Sequence, residues 1–112
     1  MINSLVKLGF TVNQSKLLSI LLDNKWHMAR ELEKESGLRQ PEVSNSLKSL
    51  SLFIDVKSNL RDTKGAPTKS YKMRDIDDFI GTLLKNINAD YKEKTACVES
   101  LINFTALHEP ND

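Results

Sequence analysis

Residues 29–50, ARELEKESGLRQPEVSNSLKSL, set a glycine and a proline four positions apart between two helix-forming stretches. No other feature of the chain constrains its folding more. Gly37 can take the positive φ that ends one helix in a tight turn. Pro41 lacks an N–H, which costs nothing at the first helical position, so a second helix opens there with Gln40 or Arg39 as its cap. The first helix is predicted near residues 28–36. In the second, Val43, Leu47 and Leu50 form an i, i+4, i+7 stripe that leaves one buried face and one very polar face. The small Ala29 permits close approach, and Leu32, Leu38, Val43 and Leu47 lock the two helices together.

The flanking segments supply the rest of a small core. Ile2, Leu5, Val6 and Leu8 recur at helical spacing before Gly9, which closes a short opening helix. Thr11 and Gln14 make a capping box for a helix over residues 12–23. Its Leu17, Leu18, Ile20, Leu21 and Leu22 are too dense for a surface helix and suit the centre of a core. After the turn-prone Asn24-Lys25, Trp26 starts a very short strand. Downstream the period changes. Residues 52–58 are β-branched and aromatic, 59–67 have loop composition with Asp62, Gly65 and Pro67, and 68–73 alternate again, which together predicts a hairpin.

Residues 74–107 carry Ile76, Ile80, Leu83, Ile87, Tyr91, Thr95, Val98, Ile102 and Thr105 at spacings of three and four. They predict one long helix, or two with a break near residues 86–90; the last four residues read as a frayed end. The expected fold class is mainly α with a small β-hairpin, a winged helix-turn-helix followed by a long C-terminal helix. Residues 1–73 form the first domain and 74–112 a helical dimerisation segment. Along the stripe, Ile76, Ile80, Leu83, Ile87, Val98 and Ile102 are the candidate dimer contacts, because an unbroken helix of about 50 Å outruns a core built from some 70 residues.

Charge separates along the chain although the total is only +1. Residues 1–38 balance at +1, 39–73 at +4 and 74–112 at −4. A basic middle followed by an acidic tail suggests that one face meets a polyanion. With Val43, Leu47 and Leu50 facing inward, 100° steps turn Ser44, Asn45, Lys48 and Ser49 outward. Short amides and hydroxyls donate and accept at base edges, whereas Lys48 and Arg39 suit phosphate or guanine. Arg61, Lys64 and Lys69 of the hairpin extend the same basic surface. The candidate DNA-binding set is therefore Arg39, Gln40, Ser44, Asn45, Lys48, Ser49, Arg61, Lys64 and Lys69.

The stretches ELEKESGLRQPEVSNSLKSL and LGFTVNQSKLLSILL resemble the helix-turn-helix helices, and the helix preceding them, of winged-helix transcriptional regulators of the MarR, ArsR and TrmB type, especially small archaeal members. The resemblance spans about residues 5–73. It implies a DNA-binding fold, usually dimeric, with the second motif helix in the major groove and the wing across a neighbouring minor groove. Two departures stand out: Glu42 puts a carboxylate near the front of the reading helix, and the wing carries few arginines. The alternative for such a fold is a protein-interaction module of transcription or assembly machinery, but that role has no need to concentrate Lys and Arg on these two elements.

Other classes fall away. No window approaches the ~18 apolar residues of a membrane span, and the first ten residues lack a signal-peptide pattern, so a cytoplasmic, nucleoid-associated protein is expected. The lone Cys97 makes no internal disulfide, and His27 and His108 lie 81 positions apart, without metal-ligand spacing. No metal, cofactor or catalytic site is expected, since no nucleophile–base pair or phosphate loop stands out. The single residues take structural roles: Trp26 packs in the core or on the hairpin, His27 lies on the surface or at a helix start, and Cys97 is a small packing residue. Asp75, Asp77 and Asp78 complement a helix dipole.

Overall fold

The computed structural model describes residues 1–59 and 68–107. Along the chain run α1 (Ile2–Lys7), α2 (Val12–Leu21), β1 (His27–Met28), α3 (Ala29–Ser36), α4 (Gln40–Ser49), β2 (Ile54–Asn59), β3 (Thr68–Met73) and α5 (Ile76–Leu107). The tip of the hairpin and the frayed tail expected at the C-terminus lie outside the described residues. The chain divides into two compact units, residues 1–76 and 77–112.

Local signals set the helix ends. Thr11 Oγ1 accepts from Gln14 N–H at 3.0 Å while Gln14 Oε1 accepts from Thr11 N–H at 2.9 Å, the reciprocal box that starts α2. Helix α2 stops at Leu21, two residues short of the expected end. Asn24 adopts φ 62° there, and Asp23 Oδ1 takes the Lys25 N–H at 2.9 Å, so a turn competes with further helix. Gly37 closes α3 at φ 74°, the left-handed geometry that its lack of a Cβ makes cheap. Helix α4 begins at Gln40 with Pro41 in its first turn and Arg39 as N-cap.

The core of the first unit is built from Leu17, Leu18 and Leu21 of α2, Leu32 of α3, Val43 and Leu47 of α4, and Leu5, Leu38, Leu50, Ile54 and Met73 around them. Each is nearly or wholly removed from water, and their burial is the main driving force for joining the helices. The sheet is antiparallel in the order β1-β3-β2. Its hairpin pairs Ile54 with Met73, Val56 with Tyr71 and Ser58 with Lys69 on one face, and Asp55 with Lys72 and Lys57 with Ser70 on the other.

Leu52 departs from expectation: it lies in a turn, 78% exposed, and β2 starts only at Ile54. The cause is the tight exit from α4. Ser51 N–H donates to Lys48 O and Phe53 N–H to Leu50 O, leaving these residues no extended conformation. Arg74, expected to open the last helix, instead clamps this turn through Nε to Asp55 Oδ1 at 2.9 Å and Nη1 to Leu52 O at 3.2 Å.

Helix α5 is continuous over 32 residues, about 48 Å at 1.5 Å per residue, and carries no break near residues 86–90. Asp77 and Asp78 occupy its first turn, where they oppose the positive end of the helix dipole. Phe79 is buried and Ile76 and Leu83 are half-buried, whereas Ile80, Leu84, Ile87, Tyr91, Val98, Leu101 and Ile102 are exposed. Cys97 is exposed, not the packing residue expected. Among the described residues no helix is long and apolar enough to cross a membrane.

Candidate nucleic-acid interface

Burial of Val43, Ser46 and Leu47 orients α4, and Arg39, Gln40, Ser44, Asn45, Lys48 and Ser49 are all exposed. The side chains of Ser44, Asn45 and Lys48 have no hydrogen-bond or ion-pair partner among the described residues, so their donors and acceptors face solvent. Ser49 differs. Its hydroxyl donates to Ser46 O and accepts from Gln14 Nε2, both at 2.7 Å, so it ties α4 to α2. Its hydrogen is committed inside the protein.

The carboxylate at the front of α4 is also engaged. Glu42 Oε1 accepts from the Arg39 N–H at 3.2 Å, satisfying one of the free donors at the helix start, and Oε2 accepts from Asn13 Nδ2 at 3.3 Å. A charge that threatened to repel a polyanion thereby serves as a helix cap and a second strut to α2.

Between α4 and the sheet runs a groove of about 300 Å³, lined by Ser44 and Lys48 on the helix and by Val56, Lys69 and Tyr71 on the strands. The structure thus brings Lys48 and Lys69 to one concavity although 21 positions separate them. Tyr71 was not among the sequence candidates. Burial pushes its phenol pKa up, so it stays a protonated donor at neutral pH. Strand alternation from Lys69 puts Tyr71 on the same face, a signal present in the sequence. Arg61 and Lys64 lie outside the described residues.

On the opposite sheet face, Trp26 packs against the hairpin, with Lys57 Nζ 4.5 Å and Lys72 Nζ 5.9 Å from its ring centroid. Ammonium groups over the indole face are held by its quadrupole. Of the two places expected for it, the surface or a helix start, His27 takes the second, two residues before α3, and it is buried. Only 8% of it is exposed, and its imidazole is clamped between Asp23, at 2.8 Å from Nε2, and Glu31, at 3.2 Å from Nδ1. Burial alone lowers the His27 pKa, but hydrogen bonds and charge from Asp23 and Glu31 outweigh it and raise the pKa above the ordinary value.

No family model matches the chain, and no curated protein does. Solved structures do. A possible transcriptional regulator from Methanosarcina mazei Go1 superposes with a TM-score of 0.73 at 16% identity, covering 88% of this chain and 87% of that one. TrmBL2, an archaeal chromatin protein described as showing a novel mode of DNA binding, superposes with a TM-score of 0.57 at 15% identity. All of this chain aligns there, to 44% of the TrmBL2 chain. The fold is therefore shared with these two proteins and is a winged helix, in which α3 and α4 form the helix-turn-helix and β2 and β3 the wing.

Proposed function

We propose that the protein is a sequence-specific regulator of transcription that binds double-stranded DNA as a homodimer, with α4 in the major groove and the wing on the adjacent minor groove or backbone. One observation carries this: the polar groups of Ser44 and Lys48 share a concavity with Lys69 of the wing, and Asn45 is exposed next to them on α4. Asn45 suits the donor and acceptor of an adenine edge, while Lys48 and Lys69 reach phosphates on either side. The likeness to a possible transcriptional regulator and to a DNA-binding chromatin protein supports it. Arg39, Gln40, Arg61 and Lys64 join as further phosphate or base contacts, Tyr71 adds a donor, and Ser49 serves as a strut. Association with the nucleoid follows from DNA binding. Affinity for a selected duplex against random DNA, measured across a salt series, tests the proposal. A salt-independent interaction, or equal affinity for every duplex, would refute it.

The dimer rests on α5. At 100° per residue, Ile80, Leu84, Ile87, Tyr91, Val98 and Ile102 fall within about 60° of one another, and all six are exposed. Ile76 and Leu83 border this stripe. A helix this long with an apolar stripe on both sides of a polar interruption at Lys94 and Thr95 matches the seam of a paired helix, and a second copy offers the same stripe. Pairing two such helices would also hold two α4 helices at a spacing suited to a two-fold symmetric site. Sedimentation of the full chain should give a dimer at micromolar concentration, and I87E/V98E should give a monomer. A monomeric wild type overturns this part.

A further inference from the structure

The buried imidazole of His27 sits in an arrangement that the DNA-binding face does not use. Both oxygens of Asp23 lie on Nε2, at 2.9 and 2.8 Å, which fixes a proton on that nitrogen and aims the lone pair of Nδ1 the other way. Nδ1 then meets Glu31 Oε2 at 3.2 Å. An imidazole lone pair and a carboxylate oxygen repel at that separation unless a cation lies between them. A proton can fill the role, and so can a metal ion: bonds of about 2.0–2.2 Å at a near-tetrahedral angle put two ligand atoms about 3.4 Å apart.

Glu35 offers a metal ion a third ligand on a flexible side chain. It stands one turn beyond Glu31 on α3, exposed, with no ion-pair partner among the described residues. Ligand atoms of His27, Glu31 and Glu35 nevertheless all lie within 4.8 Å of one another. A proton shared by His27 and Glu31 has no use for a third ligand; a metal ion does.

We propose that His27 Nδ1 and the carboxylates of Glu31 and Glu35 bind one divalent transition-metal ion of the zinc or cobalt type. Asp23 is the outer partner that holds the imidazole in the ligating orientation. One nitrogen and two oxygen donors favour such borderline ions over calcium or magnesium, which take oxygen ligands. Three protein ligands leave a fourth position for water. The ion links the strand β1 to the first helix of the helix-turn-helix, so its binding stiffens that junction.

The test uses the chelator-stripped full chain carrying Cys97→Ser, so that the exposed thiol cannot compete, titrated with cobalt(II) and followed by its visible absorption. One equivalent should bind, with bands of a nitrogen and oxygen ligand set. Glu35→Gln should weaken binding at least about tenfold, Asp23→Asn about 10- to 100-fold, and His27→Gln should abolish it. Glu35→Gln alters an exposed group with no ion-pair partner among the described residues, and unchanged circular dichroism would confirm that the fold is intact. Absence of saturable binding up to about 1 mM cobalt, or an affinity in His27→Gln or Glu35→Gln within about twofold of the parent, would overturn the site and leave the proton as the bridging cation.

Discussion

Replacing Lys48 by Ala separates electrostatic positioning from base recognition on α4. Lys48 is exposed, without a partner among the described residues, and shares its groove with Lys69, so each is expected to meet one phosphate. Each such contact contributes about 0.9 to the slope of log affinity against log salt. Between 50 and 200 mM salt, a fourfold change, one contact therefore accounts for about a 3.5-fold loss of affinity. Lys48→Ala should flatten the slope by that amount on specific and random duplexes alike. Lys48→Ala/Lys69→Ala should flatten it by about 1.8, because the two sites lie on different elements and act additively. Asn45→Ala should leave the slope unchanged and lower the preference for the selected duplex at one position by about 1–3 kcal/mol, roughly 5- to 150-fold. Fluorescence anisotropy at five or six salt concentrations measures all three, and folding should change by less than about 0.5 kcal/mol at these exposed positions. An unchanged slope in Lys48→Ala, or a uniform loss across duplexes in Asn45→Ala, would refute the assignment.

Three further outcomes are expected. Leu32→Ala opens a cavity at a wholly buried position and should cost about 2–5 kcal/mol in denaturant unfolding. Glu42→Ala removes both the cap on α4 and the strut to Asn13 and should cost about 0.5–2 kcal/mol; a neutral result would mean that the polyanion-facing carboxylate has no structural role. In chelator-treated protein, the raised pKa of His27 means that its contribution is complete below the ordinary value of 6.5 and disappears as pH rises through its folded value. Burial raises the Asp23 pKa, but the hydrogen bond and charge of His27 outweigh it, so its net lowered pKa yields the opposite dependence: its contribution is present above 3.8 and lost as pH falls through its folded value. Thermal unfolding from pH 5 to 9 should show the alkaline loss in the wild type and not in His27→Gln.

The features legible in the sequence each lie within a few residues along the chain. The Thr11–Gln14 box spans three positions, Gly37 and Pro41 bound the turn between α3 and α4, and the stripe of Val43, Leu47 and Leu50 orients α4 with Ser44, Asn45 and Lys48 outward. Such signals are local, because the backbone geometry of one or two turns settles which groups can meet. The expected arrangement of helices, hairpin and long terminal helix follows from them.

The partners of the polar groups were set by packing between distant elements. Ser49 reads as a base contact from its helical angle, yet Gln14, 35 positions away, takes up its hydroxyl; Glu42 reads as a liability, yet Asn13, 29 positions away, binds it. His27 has no histidine or cysteine near it along the chain, and its partners are instead the carboxylates of Asp23 and Glu31 at four residues on either side. Leu52 looked like a strand residue until the exit from α4 claimed its backbone for a turn. Hydrophobic periodicity records which face of an element is buried, but a hydroxyl, carboxylate or imidazole is neutral to that pattern. Its role is set by whichever partner packing brings within about 3 Å, and that choice exists only once the helices have docked.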